Sequence, residues 1–501
     1  MKKFFSAIAF FLFTSTGKAA GGDSLWAVDF IHDIYFNFSQ TGYWDTLLAN
    51  HSMDIYTECE MVLDGRSMPS TGIKMKGNSS FNNPGNKKSF KVDLNEFNPA
   101  GEYDEIKKFN LNNGFKDPTF MREKVCLDFL NRNGMVAPRC TYARVYLNNV
   151  YWGLYILVEE VSSSKFLKQR YPDNDGNLFK GDPNGDMKWY GSAQSGYYNK
   201  YSLETNETQN DWSDLVHVLD IINNTSPSEF YDSLETVFES WSAVYYMAAM
   251  NIFANLDSYI GSGHNFFVYD DSTNFMFHWI PWDVNEAFGN FNMGMNITQL
   301  QNLPYNYVNQ PANRPVATKM LADPTYHAMY ISAMCDLMQD FSPAFLDTYI
   351  DSISNKIRND VYADNQKFFS NQQFEDNINM NVGQLPGLKS FIAARRASLT
   401  SQLSAYGCWL SMDEAQADVT ELIAWPNPAN ASATILLPFN WIAAETNLQL
   451  SDATGREAGI PVIVSGNSLL LDVTALAAGI YFVTTWNETG QKARSKLVVS
   501  H

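Results

Sequence analysis

Residues 251–289 read NIFANLDSYIGSGHNFFVYDDSTNFMFHWIPWDVNEAFG. An apolar helical run ends at Asn255, and Asp257 sits just past that end. A loop containing Gly261-Ser262-Gly263 leads to Asn265. Two β-rich runs follow, His264–Tyr269 and Phe275–Trp282, joined by the polar turn Asp270–Asn274. Alternation on both sides of a polar turn predicts a β-hairpin. A hairpin brings the residue that opens its first strand close to the residue that follows its second. Asn265 and Asp283 are therefore expected side by side, with Asp257 on the loop leading in. Two neighbouring oxygen donors with a third carboxylate close by suit a hydrated Mg²⁺, which takes one or two ligands from protein. Protein kinases use the same order: a catalytic Asp, an Asn, a short hairpin, then a metal-binding Asp. Spacing alone favours the plainer account of caps and solvated turn residues, because Asp and Asn favour turns for local reasons.

Three long stretches resemble the CotH-type kinases, a family of atypical protein kinases first associated with spore coats. The hairpin segment HNFFVYDDSTNFMFHWIPWDVNEAFG is similar to the family's pattern, with a His-Asn pair opening one strand and Pro-Trp-Asp closing the next. GIKMKGNSSFNNPGNKKSFKVDL, Gly72–Leu94, is similar to its Gly-Asn-Ser-Ser segment and the lysine-containing strand after it. Phe120–Val161 resembles its helix, strand and Tyr-x-Gly-x-Tyr hairpin. The resemblance covers roughly residues 50–300 in the same order. It implies a two-lobed α+β atypical kinase domain that binds ATP with Mg²⁺ or Mn²⁺ and phosphorylates a protein Ser or Thr. Asp257 would serve the acceptor hydroxyl, and Asn265 and Asp283 the metal. One departure weakens a second metal position: Asn285 stands where the family usually carries another Asp.

The lysines of the β-rich part are candidates for phosphate contact. They are Lys76, Lys88, Lys91 and, on a later short strand, Lys180. Lys88 and Lys91 fall on opposite faces of one strand, so only one of them can face a cleft. The loop Gly77–Asn86 has the small residues that let backbone N–H groups approach an anion, although a plain turn explains it as well. A helix is expected from Asp117 to about Asn133, ended by Gly134. Kinases pair a helix glutamate with the strand lysine. Glu123 could do so here or could be an exposed helix partner, and by resemblance Glu160 is the better candidate for the acid of the cleft.

Composition narrows the class. The chain has 501 residues, more than one domain's worth, and 45% hydrophobic residues, enough for a sizeable core. A net charge of -19 argues against nucleic acid and anionic membranes as partners. Residues 1–19 read as a signal peptide: Lys2-Lys3, then an apolar run Phe4–Phe13 too short to span a bilayer. No later stretch is apolar enough to cross a membrane. The five cysteines form no Cys-x-x-Cys pair, which argues against zinc. Cys126 and Cys140 could approach each other across the helix–strand connection, and export permits disulfides.

Phe238–Leu256 is apolar on every side and is expected to be a central buried helix. Further helices are expected at Tyr326–Phe341, Phe345–Val361 and Pro386–Tyr406. The kinase-like domain is thus assigned to residues 25–406 and a linker to 407–418. Residues 419–501 then turn all-β, with turns at Trp425-Pro-Asn-Pro, Asp452-Ala-Thr-Gly455, Ser465-Gly-Asn and Asn487-Glu-Thr-Gly490. That spacing predicts a small β-sandwich. Pro426-Asn-Pro428, Leu448–Gly455, Gly479-Ile-Tyr481 and Lys496-Leu-Val-Val resemble the type IX secretion sorting domain of Bacteroidetes-type bacteria. The resemblance implies handling by that machinery, and release or surface attachment. Two other accounts fit the sequence: a catalytically inactive surface-binding protein of the same fold, or a module accessory to polysaccharide breakdown. No placed carboxylate pair supports the last.

Overall fold

The computed structural model describes residues 23–26, 31–408, 419–437, 441, 446–452, 456–465, 468–487 and 492–500. The expected signal peptide, residues 409–418 of the expected linker and most residues of the last three turns lie outside them. Seven strands close a barrel: β1 (His32–Asn37), β2 (Thr57–Leu63), β3 (Arg66–Lys76), β4 (Ser89–Asp93), β5 (Lys108–Asn112), β6 (Cys140–Leu147) and β7 (Val150–Glu159). Their order is β1-β2-β3-β4-β5-β7-β6, and β1 closes the ring by pairing parallel to β6. The hairpins of this sheet are legible in the sequence, but its closure is not, since it rests on a pairing between segments about a hundred residues apart.

Local chemistry sets the turns. Asp64-Gly65 and Asn148-Asn149 all adopt positive φ, as two-residue hairpin turns require. Both faces of the β6–β7 hairpin are buried, which explains its nearly unbroken apolar run. Ala143, Val145, Tyr155 and Leu157 fill the barrel core, while Tyr142, Leu154, Ile156 and Val158 pack with the helices.

A second sheet holds β8 (Leu178–Lys180), β9 (Ser202–Leu203), β10 (Phe266–Asp271) and β11 (Met276–Pro281) in the order β11-β10-β8-β9. The helix Ser240–Ile252 packs on β11 and is buried at nearly every position, with no polar face to spare for solvent. The expected Asp117–Asn133 helix starts later, at Arg122. The Asp117 carboxylate instead accepts from the N–H groups of Thr119 and Arg122 and organises the turn before it. The helices expected at Tyr326–Phe341 and Phe345–Val361 span Pro324–Asp340 and Pro343–Ala363, each opened by a proline at its start.

The cysteine expectation is corrected. Cys126 and Cys140 are both buried free thiols, and the disulfide joins Cys335 to Cys408. That bond links the Pro324–Asp340 helix to the residue after the last helical turn, and sequence proximity cannot reveal such docking. The described residues after 418 form two four-stranded sheets around a core of their own, including Ile435, Leu471, Val483 and Leu497. Among the described residues no helix is long and apolar enough to cross a membrane.

One buried ion pair ties the barrel to the helices. Lys87 and Asp364 are fully buried and joined to each other. Lys87 Nζ also donates to Leu154 O at 2.7 Å, and Leu154 N donates to Asp364 Oδ2 at 3.0 Å. Gly153, at φ +141°, leaves room for that carboxylate, and a Cβ there would collide with it. Lys87→Met strands the Asp364 charge in the interior. It should lower unfolding free energy by about 3–5 kcal/mol, measured by urea denaturation. Lys87→Met combined with Asp364→Asn should recover part of that loss, because the orphaned charge is then gone.

Candidate active site

The loop between the Ser240–Ile252 helix and β10 is held at its root. Arg395, fully buried, donates to the carbonyls of Asn251 at 2.8 Å, Ile252 at 3.4 Å and Leu303 at 2.6 Å. These include the last carbonyls of the helix, which have no intrahelical partner. The loop then presents Asp257, whose carboxylate meets three side chains. Ser262 Oγ donates to Oδ1 at 3.2 Å, His264 Nε2 pairs with Oδ1 at 2.9 Å, and Asn265 Nδ2 donates to Oδ2 at 3.1 Å. Asn265 Nδ2 also donates to the Asp257 carbonyl at 2.9 Å.

The hairpin register sets the next residues. Phe266 pairs with Pro281, and one step further Trp282 N donates to Asn265 O at 3.3 Å. Asn265 and Asp283 flank that closing bond. Both take the left-handed conformation, at φ +61° and +48°, which Asn and Asp tolerate better than most residues. Burial, outweighing the pull of Lys76, raises the carboxyl of Asp283 above its ordinary range, and Asp257 pushes the same way. Lys180 and His264 add further positive potential there.

The barrel supplies a second group. Lys76 Nζ at the end of β3 donates to Asn110 Oδ1 at 3.0 Å and Asn112 Oδ1 at 3.2 Å. Asn112 Nδ2 in turn donates to both oxygens of Glu123, at 3.0 and 2.8 Å. Lys91 Nζ pairs with Glu160 Oε2 at 3.1 Å, and Asn110 Nδ2 donates to the same oxygen at 2.9 Å. The two glutamates are driven apart. Burial would raise Glu160, but Lys91 and the Asn110 hydrogen bond outweigh it and hold the carboxyl down at about 2. Burial, reinforced by the Asp283 charge, pushes Glu123 up to about 8.

The structure thus brings together Asp257, Asn265, Asp283, Lys76 and, across the barrel strands, Lys91 and Glu160. Lys180 lies within electrostatic reach of Asp283 but is paired with Asp182 at 2.8 Å. Lys88 is not brought into the group. Its Nζ donates to the carbonyls of Phe81 at 2.6 Å and Asn83 at 2.8 Å, pinning the loop that follows β3. Of the two strand lysines it is Lys91 that pairs with the cleft acid. Four participants escaped sequence reasoning. Asn110 and Asn112 were detectable only through their i,i+2 spacing in an apolar strand. Arg395 carried no signal. Glu286, one residue past Asn285, is buried, and Lys116 Nζ donates to its Oε1 at 2.9 Å. Its Oε2 is buried without a partner.

Among the described residues no three His, Cys, Asp or Glu side chains form a ready-made metal cage. The Asp283 carboxylate and Asn265 amide still fit a hard cation that keeps most of its ligands as water and phosphate.

A family model described as "CotH kinase protein" matches residues 73–399. The chain belongs to the CotH family. A second model, "Secretion system C-terminal sorting domain", matches residues 423–500. The CotH domain is also similar to the inner spore coat protein H of Bacillus subtilis (strain 168), at 22% identity over 279 residues, 54% of this chain and 73% of that protein. The sorting-domain match implies export by the type IX machinery to the cell surface or medium.

The raised Glu123 carboxyl has a pH consequence. The folded state binds that proton more tightly than the unfolded chain, whose carboxyl titrates near ~4.3. The stability Glu123 contributes is complete below that range and is lost as pH rises through about 8. Glu123→Gln cannot ionise, so it should flatten the fall in melting temperature with rising pH across this window. Melting curves of parent and variant that fall in parallel would contradict the assigned direction.

Proposed function

We propose that this CotH domain is an exported kinase that transfers the γ-phosphoryl group of ATP to a protein hydroxyl. The observation that carries the proposal is the convergence on Asp283: Lys76 from the barrel, and Asp257, Lys180 and His264 from the second sheet and its loops, all act on one carboxylate. On this reading the domain works as two lobes, with the nucleotide between the barrel and the helical part. Lys76, Lys91 and Lys180 would face the phosphates, Glu160 would orient Lys91, and Asn265 and Asp283 would hold Mg²⁺ or Mn²⁺. The bound metal would neutralise charge developing on the transferring phosphoryl group. Asp257 would accept the acceptor's proton as its oxygen bonds to the γ-phosphorus and the bond to the ADP oxygen breaks. Ser262, His264 and Asn265 fix that carboxylate beforehand, which matters in a reaction whose catalysis is mostly positioning and electrostatics.

The two aspartates should fail differently. Asp283→Ala should abolish metal-dependent ATP binding in a thermal-shift titration. Asp257→Ala should retain most of that binding and lose phosphotransfer by roughly 10²–10⁴-fold, the usual effect of a missing general base. Parent-like Mg-ATP binding by Asp283→Ala would reject the kinase proposal.

The sorting domain should act only on delivery. Deleting residues from 419 onward removes a separate hydrophobic core. The truncated protein should keep the circular dichroism of a folded CotH domain and accumulate in the periplasm. Recovery from the medium in parental amounts would show that export does not depend on this tail.

A further inference from the structure

A polar cavity of about 400 Å³ opens beside the Asp257 loop. Gly261 and Ser262 form part of its wall, and Ser262 is the residue that donates to Asp257. A group filling this cavity would therefore sit next to the carboxylate proposed to serve the acceptor. The other walls come from two distant segments: residues 184–200, with Asp186 and Lys200, and residues 309–314, with Asn313 and Arg314.

The basic groups of this region differ in whether a carboxylate pairs with them. Asp186, Asp257 and Asp182 each have a basic partner. Asp186 pairs with Lys200 at 3.0 Å and also accepts from Tyr190 Oη at 2.5 Å. Asp257 pairs with His264, and Asp182 with Lys180. Two cations remain. Arg314 is only 4% exposed. Its guanidinium donates to two backbone carbonyls, Asn313 O at 2.7 Å and Gly261 O at 2.8 Å, and its Nε has no partner. Lys188 Nζ donates to Asn313 Oδ1 at 3.2 Å, a neutral acceptor. Among the described residues neither has a carboxylate partner. A buried guanidinium hydrogen-bonded to carbonyls stays charged, and Asp186 acts on it only through space, without an ion-pair contact among the described residues. In a chain of net charge -19, two basic side chains without a carboxylate contact beside the site are a local exception.

We infer that this cavity seats an anionic group, a carboxylate or a phosphate, carried by the acceptor segment close to the hydroxyl that is phosphorylated. The inference rests on the proposed kinase function for the word acceptor, while the anion seat itself rests on the cavity alone. The substrate class is then an acidic or already phosphorylated protein segment. Asn313, on the cavity wall, carries selectivity: its Oδ1 receives Lys188 from behind the lining and its carbonyl receives Arg314, so both cations bear on it.

The test is calorimetric binding to the full-length protein of three serine peptides of equal length, flanked by glutamate, by phosphoserine or by lysine. The glutamate or phosphoserine peptide should bind at least roughly tenfold tighter than the lysine peptide, the scale of one charge-assisted contact. The better of the two identifies the source of the anion. Asn313→Asp and Lys188→Gln should each weaken binding of the preferred peptide several-fold and leave Mg-ATP binding unchanged. Arg314 is left intact because it also holds the backbone of the Asp257 loop. Equal affinity for all three peptides, preference for the lysine peptide, or displacement of the acidic peptide by Mg-ATP would overturn the inference. Peptide preference without any Mg-ATP binding would uphold the anion seat and remove the kinase function.

Discussion

A carboxylate cannot be taken out of water unless positive charge or hydrogen bonds replace what water supplied. Asp283, half-buried, meets this condition in part, with help from outside its own hairpin. The lysine that most offsets its burial, Lys76, stands at the end of a barrel strand more than two hundred residues earlier in the chain. The barrel and the second sheet are thus coupled through a charge on which both act. The buried Lys87–Asp364 pair repeats the arrangement a few residues further along the same loop, with the lysine next to β4 and the carboxylate at the end of a helix. Such pairs add little net stability against an apolar alternative, but removing one partner is costly. They therefore fix which surfaces meet more than how strongly they hold.

The same constraint governs the loop. Asp257 lies outside regular structure, as functional residues on rigid scaffolds often do, yet it has little freedom. Arg395 ties down the helix end before it, the Phe266–Pro281 pairing fixes the strand after it, and three side chains hold its carboxylate. The left-handed residues Asn265 and Asp283 bend the chain at both feet of the hairpin. Strained backbone persists only where its surroundings over-determine it, and here the strand pairing and the carboxylate contacts supply that determination.

The hairpin was legible because its information is local: alternation, a polar turn, and the geometric consequence that strand pairing joins Asn265 to the neighbourhood of Asp283. The buried helix before it was legible for the same reason, having no polar face. Barrel closure was not, since parallel pairing of β1 with β6 leaves no mark at either strand. The choice between Lys88 and Lys91 depended on the conformation of one loop, whose carbonyls capture Lys88. The disulfide was mis-expected because Cys126 and Cys140 are near in sequence, whereas Cys335 and Cys408 are 73 residues apart and meet only through helix packing. Arg395 shows the limit most plainly. Its partners are backbone carbonyls, which carry no residue identity for a sequence to reveal.

The two lysines of the cleft differ in how their charge is used. Lys91 faces a carboxylate, Glu160, which is held ionised by that contact. Lys76 is hydrogen-bonded only to the neutral amides of Asn110 and Asn112, and burial lowers its affinity for its proton despite the carboxylates around it. Its carboxylates act on it through space while its hydrogen bonds go to amides, so an anion could still become its direct charged partner. An arriving phosphate would offset the desolvation that Lys76 bears without it, while adding little to Lys91, whose charge is already matched. On the proposed function, Lys76 is therefore the lysine that gains most from a phosphate, while Lys91, oriented by Glu160, faces it with its charge already matched.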